Sequence, residues 1–202
     1  MKSKLLMGGA LLLTALTAGA ATMAVQDKPK AGPGDDPMMA KWMEYATPGE
    51  AHKVLEPSVG KWTLKVKHYM EPGAPALESD ATSEVEWVME NRYTQEKVNG
   101  TFMGKPFKGM GVCGYDNLKK KYVSTWIDNM GTGILASEGT WDAASKTLST
   151  VGECPDPMTG KFVKGRSTIK WTDKDHWVMQ AYHPGPDGKD ALMMEINATR
   201  AK

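Results

Sequence analysis

Residues 107–141 read FKGMGVCGYDNLKKKYVSTWIDNMGTGILASEGTW. Val, Ile, Tyr, Thr and Trp concentrate in three runs, 107–115, 121–128 and 134–141. Asp116-Asn117 and Asn129-Met130-Gly131-Thr132-Gly133 break them, as turn residues do between β-strands. The rhythm continues downstream, where short Gly/Pro/Asp clusters lead into runs at 147–153, 162–171, 176–183 and 190–200. Upstream, Trp62, Leu64, Val66 and His68 alternate with Thr63, Lys65, Lys67 and Tyr69 from Gly60 onward. Ala81–Met89 alternates in the same way, and Glu90-Asn91 turns into 92–99.

About ten strands at even spacing predict an all-β fold. No stretch between them is long enough for a βαβ crossover, so the sheet is expected to be antiparallel. Closure removes both edges, and an up-and-down barrel of about ten strands follows, with room for one small ligand.

One or two short helices precede the barrel. Asp36-Pro37 reads as an N-cap and first helical residue, with Met39, Trp42 and Met43 at helical spacing. Thr47-Pro48-Gly49-Glu50 reads as a capping box, Thr at the N-cap and Glu at N3. Ala51, Val54 and Leu55 form an apolar stripe, and the pair is expected to plug the barrel. Before them, 1–24 has the form of a secretory signal: Lys2 and Lys4, an apolar run Leu5–Leu16 too short to span a bilayer, then Ala18-Gly19-Ala20. Residues 25–36 form a Pro/Gly/charge linker. The expected organisation is signal 1–24, linker 25–36 and a single barrel domain 37–202, in an exported protein of the periplasm or extracellular space. No membrane span is expected after cleavage.

The chain has 202 residues, with 25 Lys+Arg against 24 Asp+Glu and a formal net charge of +1. That balance lacks the basic footprint of a nucleic-acid binder. Oligomeric state has no signature here.

Gly60-Lys61-Trp62, following a short helix, resembles the G-x-W opening of lipocalin-type (calycin) barrels. In those proteins an Arg from the last strand packs on the floor Trp, which implies structural roles for Trp62 and Arg200 through a cation–π contact. A wider resemblance rests on Thr47-Pro48-Gly49-Glu50, Gly114-Tyr115-Asp116-Asn117, Lys121–Asp128, Met130-Gly131-Thr132-Gly133, Glu138-Gly139, Asp156–Lys161 and Pro184–Lys189. Over roughly Ala46–Arg200 the chain is similar to the bacterial domain-of-unknown-function family numbered 1579. The resemblance implies a calycin-type barrel and a frequently exported protein, and no reaction.

Gly109-Met110-Gly111-Val112-Cys113-Gly114 matches G-x-G-x-x-G by letter. A dinucleotide fingerprint opens a helix after a strand, whereas these glycines lie inside a β-run; they are expected to bend the strand or admit a close neighbour. Cys113 and Cys154 fall three strands apart, about 14 Å along a sheet, beyond disulfide reach unless the Cys154 loop folds back. None of the four His forms a metal pattern. No cofactor is expected; His183, in phase with Trp177, Met179 and Ala181, is the lesser option as a haem ligand. The 15 Met are scattered, as fillers of irregular cores and cavities are.

Three functional readings follow. In the first, the interior binds a small apolar molecule against Trp87, Tyr122, Trp126 and Trp177, with Glu138 and Arg166 as orienting groups. In the second, Asp128, sharing a face with Trp126, and Glu138, sharing one with Ile134 and Ala136, both point inward and act as acid/base carboxylates. In the third, the barrel is packed and serves as a structural or envelope-interaction protein.

Overall fold

A computed structural model describes residues 36–71, 73–156, 159–185 and 188–202. The expected signal, and the expected linker except for Asp36, lie outside the described residues. The chain divides between Ala40 and Lys41 into two units, and the barrel belongs wholly to Lys41–Lys202.

Helix α1 spans Pro37–Ala46, and the Asp36 carboxylate accepts the Met38 N–H at 2.8 Å, as an N-cap does. The expected capping box is displaced. Thr47 Oγ1 donates to the Met43 carbonyl at 2.6 Å and so closes α1 rather than opening the next helix. Helix α2, Glu50–Lys53, takes Gly49 as its N-cap, and the buried His52 supplies the reciprocal acceptor, Nδ1 receiving the Gly49 N–H at 3.0 Å. Glu50 instead pairs with Lys53 at 2.6 Å. A 3-10 turn at Glu56–Ser58 leads into the sheet.

Ten strands follow: β1 Gly60–His68, β2 Leu77–Val88, β3 Tyr93–Phe102, β4 Lys105–Asp116, β5 Lys121–Asp128, β6 Leu135–Asp142, β7 Thr147–Asp156, β8 Lys161–Trp171, β9 His176–Pro184 and β10 Asp190–Arg200. Each pairs antiparallel with its neighbours in sequence, and β1 pairs with β10 to close the barrel. The expected architecture is the one found. The largest departure is at β2, which begins at Leu77 rather than 81. Its extra residues read as a charged loop because Glu78 and Asp80 face outward, opposite Lys67 and Lys65 of β1 at 4.0 and 2.8 Å. Cross-strand ion pairs hold a strand end that has no apolar face to show.

The strands are strongly staggered, as closure requires. Following paired residues sideways from Trp62 leads through Ser83, Val98 and Gly109 to Asp128, from one rim to the other. From Tyr122 the same path runs through Gly139, Thr150, Ser167, Ala181 and Met194 to His68.

One end of the barrel is stopped. Trp62, 1% exposed, packs its ring 5.9 Å from those of Trp171 and Trp177. Arg200 lies over Trp62 at 4.2 Å and donates to the carbonyls of Val59, Pro57 and Lys174 at 2.9, 2.8 and 3.1 Å. Gly60 makes room: its φ is +131°, and a Cβ there would stand 2.6 Å from Arg200 Nη1. This one residue therefore needs glycine for both backbone and space. Beside the tryptophans, Leu55 packs on Tyr122 and Leu148, and Tyr122 donates its hydroxyl to the Ala51 carbonyl at 2.8 Å. The α2 segment thus plugs the floor.

Candidate functional site

Residues opposite one another on an antiparallel ladder share a face, so the register sorts every strand position into wall interior or exterior. The interior is two-sided. On β9, β10, β1 and β2 it presents Met179, Ile196, Leu64, Val66 and Val85. On β3 through β8 it presents Glu96, Cys113, Ser124, Ser137, Thr150 and Ser167, with Gly109, Gly111, Gly139, Gly152 and Gly165 among them. Two hydroxyl pairs bridge neighbouring strands within this polar arc, Ser124–Ser137 and Thr150–Ser167, each at 2.7 Å.

Few of these side chains are fully buried. Phe107, Trp126, Met179, Met194 and Ile196 face inward yet remain partly accessible. An inward residue of a closed barrel keeps accessible surface only where open space lies inside the barrel or at its mouth. Small residues on the arc create that space, since a wall of glycine and serine cannot fill the lumen.

Glu96 marks the depth of the space. Burial pushes its carboxyl above the usual carboxylate range, against the Ser83 hydrogen bond that favours the anion. Ser83 donates to Oε1 at 2.5 Å. Oε2 accepts no hydrogen bond from any described residue, and no side-chain oxygen fully buried among them lacks a partner. Oε2 therefore borders accessible space. Cys113, on the next strand, has its thiol pushed up to about 12 by burial and, secondarily, by the nearby Glu96.

The glycines of 109–114 admit close neighbours. A Cβ on Gly109 would fall within the six-membered ring of Trp126, 2.7 Å from Cη2 and closer still to Cζ2. One on Gly111 would stand 3.0 Å from Cε3 of the same indole, while Gly114 makes room for Tyr93 on the outer face. Trp126 lies flat on a glycine bed, its Nε1 donating to Asp128 Oδ2 at 2.9 Å. Asp128 also receives the Met130 N–H at 2.9 Å.

The other proposed site residues separate. Trp87 and Tyr122 belong to the packed floor cluster and Trp177 to the floor tryptophans. Two assignments are corrected. Glu138 opposes Val123 on the outer face, because Leu135, not Ile134, opposes Trp126 and sets the inward phase of β6. Its carboxylate pairs with Lys121 at 2.5 Å and Lys119 at 3.2 Å, which hold it below the usual range. Arg166 opposes Val151, also outside; it stacks on Tyr182 at 4.1 Å and pairs with Asp190 at 2.8 Å. The paired interior carboxylates expected at Asp128 and Glu138 therefore do not exist.

Glu96 escaped the sequence reading because Tyr93–Asn99 has no apolar face; its one cue is shared phase with Val98. Both cysteines are free thiols. His183 faces inward, its Cδ2–Nε2 edge 3.3–3.4 Å from where a Gly165 Cβ would be; Cys154 Sγ stands over the same glycine at 2.7 Å. Burial lowers the His183 pKa. Among the described residues no group of three His, Cys, Asp or Glu could hold a metal.

The rim opposite the plug carries exposed apolar side chains on successive connections: Met103 at 69%, Ile134 at 73% and Phe162 at 70% accessible. Such a patch is typical of binding sites. Grooves outside β1 and β2 are shallow and lined by Lys65 and Asp80, whose charges pair with each other.

Two solved structures are similar in fold. One is the S-type phycobiliprotein lyase CPES of Guillardia theta, at 12% identity and a TM-score of 0.50, over 80% of this chain and 97% of that chain. The other is Rv2717c of M. tuberculosis, at 13% identity and a TM-score of 0.58, over 77% and 100%. No curated protein sequence matches this chain. At these identities the likeness is one of fold. A family model does match, over residues 47–200, from the residue after α1 to the end of β10. The barrel described above is therefore that of a member of the family described as protein of unknown function (DUF1579).

Proposed function

We propose that the barrel binds a small, mostly apolar molecule in its lumen and, given the leader-like start, does so outside the cytoplasm. The observation that carries this reading is the accessible inner wall: inward side chains that a packed barrel would bury keep surface beside a glycine-rich arc. A lumen of this kind, mostly apolar with a few placed polar groups, has the general character of a ligand site. Trp126 and the β9–β2 wall supply apolar contact, the exposed rim residues an entrance, and Glu96 with the hydroxyl pairs the polar groups. A Guillardia theta neighbour of this fold is called a phycobiliprotein lyase, which is compatible with a barrel that handles small molecules. We assign no reaction to this chain.

The test is native mass spectrometry of the mature protein purified from its own host, with tryptophan fluorescence titrations against fatty acids, retinoids, haem and quinones. A retained molecule, or saturable quenching that Trp126→Phe diminishes, is expected. Absence of any bound mass together with flat titrations would refute the reading. A visible absorption band lost in His183→Ala would place haem in the lumen.

A further inference from the structure

We infer that the lumen selects its ligand by head-group charge: it takes an apolar molecule whose polar end donates a hydrogen bond, a hydroxyl or ammonium, to Glu96 Oε2, and refuses carboxylates. This rests on the proposed lumenal binding and names its ligand class.

The inner wall is poor in cations and holds two carboxyl groups. Among the described residues, inward strand positions carry positive side chains only at Lys105 and Lys161, exposed at the rim, and at Arg200. Arg200 lies beneath the floor, over Trp62, with its guanidinium turned to the carbonyls of Pro57, Val59 and Lys174. The remaining basic groups inside are His68 and His183, and burial disfavours the charged form of both. Against these stand Glu96, at the depth of the polar arc, and Asp128, nearer the rim. An anionic head entering this wall loses its hydration and meets two carboxyl groups with no counter-charge, which is costly in a low-dielectric space.

A donating head meets the opposite situation. Glu96 Oε1 is already engaged by Ser83 at 2.5 Å, while Oε2 borders the lumen without a protein donor. A buried carboxylate with one unsatisfied oxygen is stabilised by any donor that reaches it, and most by a charged one. The bonded hydroxyls Ser124–Ser137 and Thr150–Ser167 continue the polar arc away from Glu96, so the head has a polar side to lie on. The tail faces Met179, Ile196, Leu64 and Val66 on the opposite wall. Nothing else in the lumen provides this asymmetry, because the glycine positions expose only backbone already engaged in the sheet.

The test compares probes of one chain length, decylamine, decanol and decanoate, displacing Nile red from the mature protein at neutral pH. The amine and the alcohol are expected to displace the dye at concentrations at least about tenfold lower than decanoate. In Glu96→Gln the amine should lose about tenfold in affinity and the gap to decanoate should close. Ser83→Ala, which leaves Glu96 in place, should keep the order. The wild-type ranking needs no variant, so a Glu96→Gln protein that fails to fold does not remove the test. Equal displacement by all three would overturn the head-group inference while leaving lumenal binding standing, as would preference for decanoate. If neither the dye nor any probe binds, lumenal binding falls and this inference falls with it.

Discussion

Gly109→Ala is the sharpest test of how this inner wall is built. The added methyl would occupy the ring plane of Trp126, 2.7 Å from Cη2, too close for any carbon–carbon contact. Neither partner yields easily: residue 109 is backbone fixed by pairing with Val98 and Asp128, and the indole is a rigid plate anchored to Asp128 at 2.9 Å. Overpacking of this kind costs about 1–3 kcal/mol. If the ring rotates to escape, it also leaves a hydrogen bond to a charged group, worth about 1.5–3 kcal/mol. For a chain of this size each kcal/mol moves Tm by about 2–4 °C, so a loss of about 5–10 °C is expected in thermal unfolding followed by near-UV circular dichroism. The near-UV spectrum itself should change, since the indole has moved. Gly131→Ala serves as the control, because nothing lies within 4 Å of a Cβ there. The decisive measurement is the double variant: in a Trp126→Leu background the cost of Gly109→Ala should shrink by about 1–2 kcal/mol, the coupling expected of residues in contact. A Gly109→Ala protein with wild-type Tm and unchanged near-UV signal would show that Trp126 does not lie on this strand, and the argument for a glycine-bedded lumen would fail with it.

Glu96→Gln should raise stability at neutral pH. The folded carboxyl has a raised pKa, so the stability it contributes is fully present below the unfolded value, about 4.3, and is lost as pH rises through the folded value; Tm of the variant minus wild type should grow across that window and vanish at its acid end. Arg200→Ala should cost about 2–3 kcal/mol in denaturant unfolding, through its carbonyl hydrogen bonds and its stacking on Trp62. Arg200→Lys, lacking the planar fork, should recover less than half of that loss. The Cys113 thiol, pushed up to about 12, should resist iodoacetamide at pH 8 in the folded protein and react on unfolding; rapid native labelling at Cys113 would contradict its placement.

The barrel was legible because its outer face is written in a regular code. Lys65 and Lys67 against Asp80 and Glu78 alternate with inward residues strand after strand, and Gly, Pro, Asp and Asn mark the connections. The lumen was not legible by the same rule, for a physical reason. Alternation identifies a core face by its apolar residues, and a wall that borders a cavity is not a core. On β6 the inward set is Leu135, Ser137, Gly139 and Trp141, no more apolar in its middle than the outward Ala136 and Glu138, so phase assignment by hydrophobicity lost its footing there and placed Glu138 inside. On β8 Arg166 shares its outward phase with Lys164 and Lys170, a cue outweighed by the search for an orienting cation. Glu96 was hidden on a strand polar on both faces. The letters G-x-G-x-x-G did point to something real: two glycines of that run are occupied by the face of Trp126. What a sequence records of a cavity is missing bulk at inward positions, and missing bulk can be assigned to an interior only after strand pairing shows which positions face it.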